Sequence, residues 1–304
     1  MYSLEAHFFD ADGTLNEIDI KGALAGKPGT EEIQHYYEAA IAFAAAKTEM
    51  APGEVDSRLR TLILGEVFPQ RAHPDFWGKL QGNRPTSPAV DHFLLIEAAV
   101  RRLHPVFNAT PGLTSELFKA ASAASHEHAA IDEDARGVLG DLISRNRIVG
   151  ITTNSSTKKI DAMLRKAGLE AYTVHDRIAP GRIGVLGDAQ KFRVDESMPD
   201  SPKEHLDLSP FYGAGIELDL RRGVFRKRVR QACNEAGVTE VRYVTDIPEL
   251  DLYPMRAEFG DVLRCAMKLN PTSASETVNA VTAILKAPVG TRLSALVKLL
   301  DIQD

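Results

Sequence analysis

Two carboxylates lie two residues apart near the start of the chain, in the segment Asp10-Ala11-Asp12-Gly13-Thr14. They follow the apolar stretch from Leu4 to Phe9, which predicts a buried strand that ends at Asp10. Two such carboxylates are costly unless something offsets their charge, and a divalent cation would do so. Mg²⁺ prefers oxygen ligands and keeps positions for water and phosphate. The segment is therefore a candidate magnesium and phosphoryl-transfer site, although alone it could also be an ordinary acidic turn.

Two later segments also end in polar residues after an apolar run. The run VGITTN brings Thr153 and Asn154 to a predicted strand end, and VRYVTD does the same for Asp246, with Asp251 five residues on. Thr and Asn at a strand end also form turns and helix caps, so neither segment is specific by itself. Their order after the first acidic segment is what makes them candidate site residues.

The elements that must position these residues alternate between helix and strand. Periodicity predicts helices at 134–145, 158–167 and 224–235, and strands at 148–152 and 241–244. Such alternation predicts an α/β fold, a Rossmann-like parallel sheet core with helices on both faces. The segment from 195 to 215 is rich in Pro, Asp and Ser, without a clear period, and is expected to be a long loop.

A helical insert separates the first acidic segment from the other two. From residue 31 to about 128, apolar side chains recur at three-and-four spacing, beginning with Ile33, Tyr36, Tyr37 and Ala40. We therefore expect two domains: an α/β core from 1–15 and 131–304, and an all-helical cap domain from 16–130.

The DxDGT form of residues 10–14 resembles the first motif of the haloacid dehalogenase (HAD) superfamily. The resemblance implies that Asp10 is a nucleophile that forms an aspartyl phosphate, while Asp12 protonates the leaving group and then activates water. Asp246 matches the fourth motif, which implies a Mg²⁺ site formed by Asp10, Asp12 and Asp246. The helical insert has the position of a C1-type cap.

The resemblance assigns roles to the other candidates too. Thr153, with Asn154 after it, matches the second motif and would bind the phosphoryl group, and Asp251 would orient a metal-bound water. The family usually has Gly before the first acid of the fourth motif, where this chain has Thr245.

The third motif of the family supplies one basic residue that neutralises charge around the nucleophile and phosphate. The candidates are Arg222, Arg221, Lys191 and Lys227. Arg222 is favoured because it directly precedes Gly223 and a predicted helix. Lys191 is the second choice, because it lies in a loop after a predicted strand.

The resulting expectation is a magnesium-dependent phosphatase that hydrolyses a small phosphomonoester. A phosphomutase or phosphonate hydrolase of the same superfamily is the alternative. A non-catalytic descendant that binds a phosphorylated ligand or a protein is a third hypothesis, motivated by Thr245 and by the sequence Arg222-Gly223.

Composition limits the partners. The 304 residues are 44% apolar and 26% charged with a formal charge of −6, which is typical of a globular protein and gives no basic surface for nucleic acid. The sequence shows no signal peptide or membrane span, so no membrane partner and a cytoplasmic location are expected. Cys233 and Cys265, far apart among apolar neighbours, are expected to be buried thiols. A homo-oligomer is compatible with the sequence, which does not fix the oligomeric state.

Overall fold

The computed structural model describes residues 4–70, 92–213, 215–271 and 273–302. These residues divide into two compact units. One contains 4–17 and 130–302, and the other contains 18–70 and 92–129.

The first unit is built on a seven-stranded, wholly parallel sheet. The strands of this unit, in which β5 and β6 form a separate pair outside the sheet, are in chain order β1 Glu5–Asp10, β2 Ile148–Thr152, β3 Thr173–His175, β4 Arg182–Leu186, β5 His205–Asp207, β6 Glu217–Asp219, β7 Glu240–Thr245, β8 Leu263–Lys268 and β9 Val289–Gly290. The sheet order is β3-β4-β2-β1-β7-β8-β9. The predicted α/β, Rossmann-like fold class is confirmed.

Helices connect most of these strands, and one helix follows the last strand. Their bounds are Glu133–Ser144, Thr157–Lys166, Ser209–Tyr212, Gly223–Ala236, Leu252–Phe259, Ser275–Ala280 and Leu293–Ile302. The helix Glu133–Ser144 shows why the sequence predicted them well. Its N-cap Asp132 accepts a hydrogen bond from the Ala135 backbone N–H at 2.7 Å, and its buried positions include Val138, Leu139 and Leu142.

The prediction of a long loop from 195 to 215 is partly wrong. Strands β5 and β6 pair there as a small antiparallel ribbon, with the short helix Ser209–Tyr212 between them. Leu208, Ile216 and Leu218 are buried in the core of the α/β unit. The short apolar runs of this region were too brief to show a period, so tertiary burial decided their structure.

The second unit consists of helices around its own apolar core. Their bounds are Ile20–Leu24, Glu31–Thr48, Pro52–Leu62, His92–Leu103, Val106–Ala109 and Leu113–Ser125. In Glu31–Thr48 the predicted three-and-four pattern is confirmed, since Ile33, Tyr36, Tyr37 and Ala40 are buried. Among the described residues of the whole chain, no helix is both long and apolar enough to span a membrane.

Candidate active site

The candidate site lies at the carboxyl ends of three neighbouring strands. β1 ends at Asp10, between β2, which ends at Thr152, and β7, which ends at Thr245. Parallel strands place these ends at one edge of the sheet, where α/β proteins bind ligands. The three predicted segments therefore meet although they are distant in sequence.

Asp10 is a buried carboxylate with two close donors. Its Oδ1 accepts a hydrogen bond from the Ala11 backbone N–H at 2.8 Å and lies 2.7 Å from Lys191 Nζ. Burial raises the pKa of Asp10 to about 7, and the neighbouring Asp251 charge adds to this while Lys191 opposes it. A desolvated carboxylate beside an ammonium group has the surroundings expected of a carboxylate nucleophile.

The basic residue in contact with Asp10 is Lys191, and not Arg222, which the sequence favoured. Lys191 Nζ lies 2.7 Å from Asp10 and 2.5 Å from Asp251 Oδ1, with its side chain only 1% exposed. Arg222 is also buried, but its guanidinium donates to the carbonyl of Phe192 at 2.7 Å. Arg222 therefore supports the loop that carries Lys191. Arg222 was favoured because it directly precedes a helix, which is a local feature of the sequence. Which side chain reaches Asp10 depends instead on the path of the loop after β4.

Asp12 is held by two residues that the sequence analysis did not single out. Lys159 Nζ lies 2.6 Å from its Oδ1, and the Ser155 hydroxyl donates to its Oδ2 at 2.6 Å. Burial alone would raise the pKa of Asp12, but the Lys159 charge and these hydrogen bonds outweigh it and lower the pKa. Asp12 thus differs from Asp10 in both partner and protonation tendency.

A signal for Lys159 was present in the sequence. In the helix Thr157–Lys166, Lys159 belongs to the same buried face as Ile160, Met163 and Leu164. A lysine among apolar positions of a helix face usually needs a buried partner. Ser155, which comes just before this helix, carried no comparable signal.

Asp246 lies directly against the first acidic turn. The Thr14 hydroxyl donates to its Oδ1 at 3.2 Å, and Asn270 Nδ2 donates to its Oδ2 at 2.8 Å. Gly13 has a φ of +83°, and a Cβ there would lie 1.9 Å from Asp246 Oδ2. Burial, with the charge of Asp10, raises the pKa of Asp246 well above its usual value. Only glycine, which has no Cβ, allows the Asp246 carboxylate to lie this close to residue 13.

Asp251 has a different contact from the one expected. It is fully buried and accepts hydrogen bonds from the Tyr243 hydroxyl at 2.6 Å and from Thr245 Oγ1 at 2.9 Å. With Lys191 as its third partner, Asp251 anchors that ammonium group. Thr245, the departure from the family pattern, is thus accommodated as a donor to Asp251.

Thr153 and Asn154 both lie at the end of β2. The Thr153 hydroxyl oxygen accepts from the Ser155 backbone N–H at 3.0 Å, so its hydrogen can still be donated to a phosphoryl oxygen. Asn154 Oδ1 accepts from the Lys191 backbone N–H at 2.7 Å. The Asn154 side chain therefore holds the Lys191 loop, which the sequence analysis did not anticipate.

The donor set fits a magnesium ion. Asp10 is buried and Asp246 is partly buried, desolvation raises the pKa of both carboxyl groups, and a bound cation would favour their ionised forms. The carboxylate of Asp12 is engaged by Lys159, so its backbone carbonyl is the group left to join them. The described residues contain no cluster of three or more His, Cys, Asp or Glu side chains suited to a metal. Two carboxylates and a carbonyl suit Mg²⁺, which keeps several waters.

Comparison with known proteins gives few sequence matches. No known protein-family profile matches the chain. A stretch of 105 residues is 28% identical to the mitochondrial ATP-dependent RNA helicase SUPV3L1 of Danio rerio, covering 34% of this chain. The match spans only 13% of the helicase.

Several solved structures are similar over nearly the whole chain. A predicted phosphoglycolate phosphatase from Haemophilus somnus has a TM-score of 0.49 and 12% identity, covering 98% of this chain and 99% of its own. The HAD-like hydrolase SP0104 from Streptococcus pneumoniae has a TM-score of 0.46 and 11% identity, with 100% of both chains covered. An HAD family hydrolase from Deinococcus radiodurans has a TM-score of 0.44 and 15% identity, over 99% and 96%. Scores at this level carry no functional argument, so function must be inferred from the site.

Proposed function

We propose that the chain is a phosphatase of the HAD superfamily that hydrolyses small phosphomonoesters through an aspartyl phosphate on Asp10. The observation that carries this proposal is the contact between Asp10 Oδ1 and Lys191 Nζ at 2.7 Å, at the end of the central strand β1. The contact joins the first and third motifs of the superfamily across 181 residues. Thr153 and Asp246 directly follow the two neighbouring strands, so all four motifs have residues at this edge.

The reaction would proceed in two displacements. A carboxylate oxygen of Asp10 attacks phosphorus, and the bond from phosphorus to the ester oxygen breaks, with its electron pair leaving on that oxygen, which takes a proton from the protonated form of Asp12. Water then attacks phosphorus and gives a proton to the ionised Asp12, while the bond from phosphorus to the Asp10 oxygen breaks with its electron pair on that oxygen, which releases inorganic phosphate and restores the Asp10 carboxylate. Lys191 stabilises the negative charge beside Asp10, and Thr153 donates to a phosphoryl oxygen.

Mg²⁺ is the proposed cofactor, held by the carboxylates of Asp10 and Asp246 and by the Asp12 carbonyl. It would neutralise charge on the phosphoryl group and so allow an anionic nucleophile to approach an anionic substrate. Thr14 and Asn270 hold the Asp246 carboxylate from both of its oxygens, which would orient it toward the cation.

We propose a small phosphorylated metabolite as the substrate and the helical unit as the cap domain that selects it. The two observations that favoured a non-catalytic descendant now have structural explanations. Thr245 donates to Asp251, and Lys191 supplies the basic group that Arg222 does not. A phosphatase is therefore favoured over a binding protein.

The test is to trap the intermediate. The chain is mixed with p-nitrophenyl phosphate and Mg²⁺, quenched in acid, and measured by intact mass and peptide mapping. We expect one added phosphoryl group on Asp10, and neither adduct nor turnover in Asp10→Asn. Asp261→Asn is the control, since the Asp261 side chain is 98% exposed. A phosphoryl group on another residue, or wild-type turnover in Asp10→Asn, would contradict the proposal.

A further inference from the structure

Lys159 is a buried ammonium group next to the proposed acid and base. Only 3% of the residue is exposed, and its Nζ lies 2.6 Å from Asp12 Oδ1 and 3.4 Å from Ser155 Oγ. Ser155 Oγ in turn donates to the other oxygen of Asp12 at 2.6 Å. Both oxygens of the carboxylate thus have a donor, and both donors come from the segment that follows β2.

We infer that Lys159 is a positioning residue for Asp12, with Ser155 as its partner, an inference that rests on the proposed function. Two donors on two oxygens fix both the direction and the plane of a carboxylate, whereas one donor would leave it free to rotate. Asp12 lies in the turn two residues beyond the end of β1, with no strand to hold it, so its direction depends on these contacts. Proton transfer to and from Asp12 requires hydrogen-bond reach and alignment.

Stability alone does not account for such a lysine. A buried ion pair is often no more stabilising than a well-packed apolar pair of similar volume. Lys159 occupies the buried face of its helix, where an apolar residue such as the neighbouring Ile160 or Met163 would pack without desolvation cost. The contact with Asp12 therefore explains why a lysine occupies this position.

The two acidic residues of the first motif are therefore each served by a separate lysine. Lys191 contacts Asp10 and Asp251, and Lys159 contacts Asp12. The loss of Lys159 should thus leave the nucleophile intact and impair the steps that need Asp12. Hydrolysis of the aspartyl phosphate is such a step, because its water must lose a proton, whereas p-nitrophenolate leaves without one.

The experiment compares Lys159→Met with Lys158→Met, since Lys158 is the adjacent lysine on the same helix and is exposed. Rapid quench with p-nitrophenyl phosphate and Mg²⁺ gives the rates at which the phosphoenzyme forms and decays. In Lys159→Met we expect decay at least tenfold slower, with the formation rate, and the substrate Kd obtained from its concentration dependence, within about threefold of wild type. Lys158→Met should match wild type, and Lys159→Arg should recover part of the decay rate because it keeps a donor.

Ser155→Ala keeps the test decisive if Lys159→Met fails to fold, since it removes only a hydroxyl group. It should slow decay in the same direction, by a smaller factor. Equal decay rates in the Lys159, Ser155 and Lys158 variants would overturn the inference while an adduct on Asp10 leaves the proposed function standing. A raised substrate Kd with unchanged decay would also overturn it, because Lys159 would then bind substrate.

Discussion

Replacing Lys191 by methionine should nearly abolish turnover while leaving a folded protein. The ammonium group lies 2.7 Å from Asp10 and 2.5 Å from Asp251, and both carboxylates are buried. Removing one partner of a buried ion pair costs about 3–5 kcal/mol of stability. Removing one group that stabilises developing charge costs about 10²–10³ in kcat. We therefore expect kcat to fall by at least about a hundredfold, together with a lower free energy of unfolding.

The assay is p-nitrophenyl phosphate hydrolysis with saturating Mg²⁺, with urea unfolding followed in parallel. Two variants give the comparison. Arg222→Met removes the donor to the Phe192 carbonyl, so it should perturb the Lys191 loop and reduce kcat by a smaller factor. Lys227→Met should change little, because its side chain is 71% exposed and pairs with Asp195 at the surface.

The expected ranking of kcat loss is thus Lys191, then Arg222, then Lys227. A larger loss in Arg222→Met than in Lys191→Met would refute the assignment of Lys191 to the third motif. Wild-type kcat in Lys191→Met would refute it as well, whatever the stability of the variant.

Three further outcomes are expected. Chelation of Mg²⁺ should abolish phosphatase activity, and Ca²⁺ should not restore it, because its larger, looser coordination shell misaligns the nucleophile; metal titration of the hydrolysis rate checks this. Gly13→Ala should raise the Mg²⁺ concentration for half-maximal activity at least tenfold, since its Cβ would lie 1.9 Å from Asp246, whereas Gly112→Ala, with the same φ of +83° and open space around it, should not. Burial raises the pKa of Glu249 from 4.5 to about 7. The folded state therefore gains stability from protonated Glu249, fully below pH 4.5, and loses this stability as pH rises through 7. Between pH 6 and pH 8, the free energy of unfolding measured in urea should therefore fall by about 1 kcal/mol less in Glu249→Gln than in wild type.

The fold could be predicted because its signals are local. Apolar runs fixed β2 at Ile148–Thr152 without error, and helical periodicity gave Gly223–Ala236 to within one residue at each end. Asp132 caps the beginning of one helix, and Gly237, with a φ of +68°, ends another. Both signals lie next to the helix that they delimit. The ribbon of β5 and β6 was missed because its strands are three residues long and are held by burial.

The site was predictable only where a residue ends a strand or directly follows one. Asp10, Thr153 and Asp246 could be found because strand order brings those ends together. Lys191, by contrast, lies in a loop whose path depends on Asn154 and Arg222, contacts that span about 30 to 40 residues. No periodic pattern in the sequence encodes which loop side chain reaches a carboxylate.

The position of β1 in the middle of the sheet has a consequence for synthesis. Ala6 pairs with Ile148 and Glu5 with Glu240, so β1 leaves the ribosome long before either of its neighbours. At 5–20 residues per second, about 140 residues of translation take on the order of ten seconds. During that time an apolar strand with two open edges is exposed to aggregation, while the helical segment behind it can fold through local contacts. Chaperone binding to nascent chains should therefore concentrate on lengths before β7 emerges.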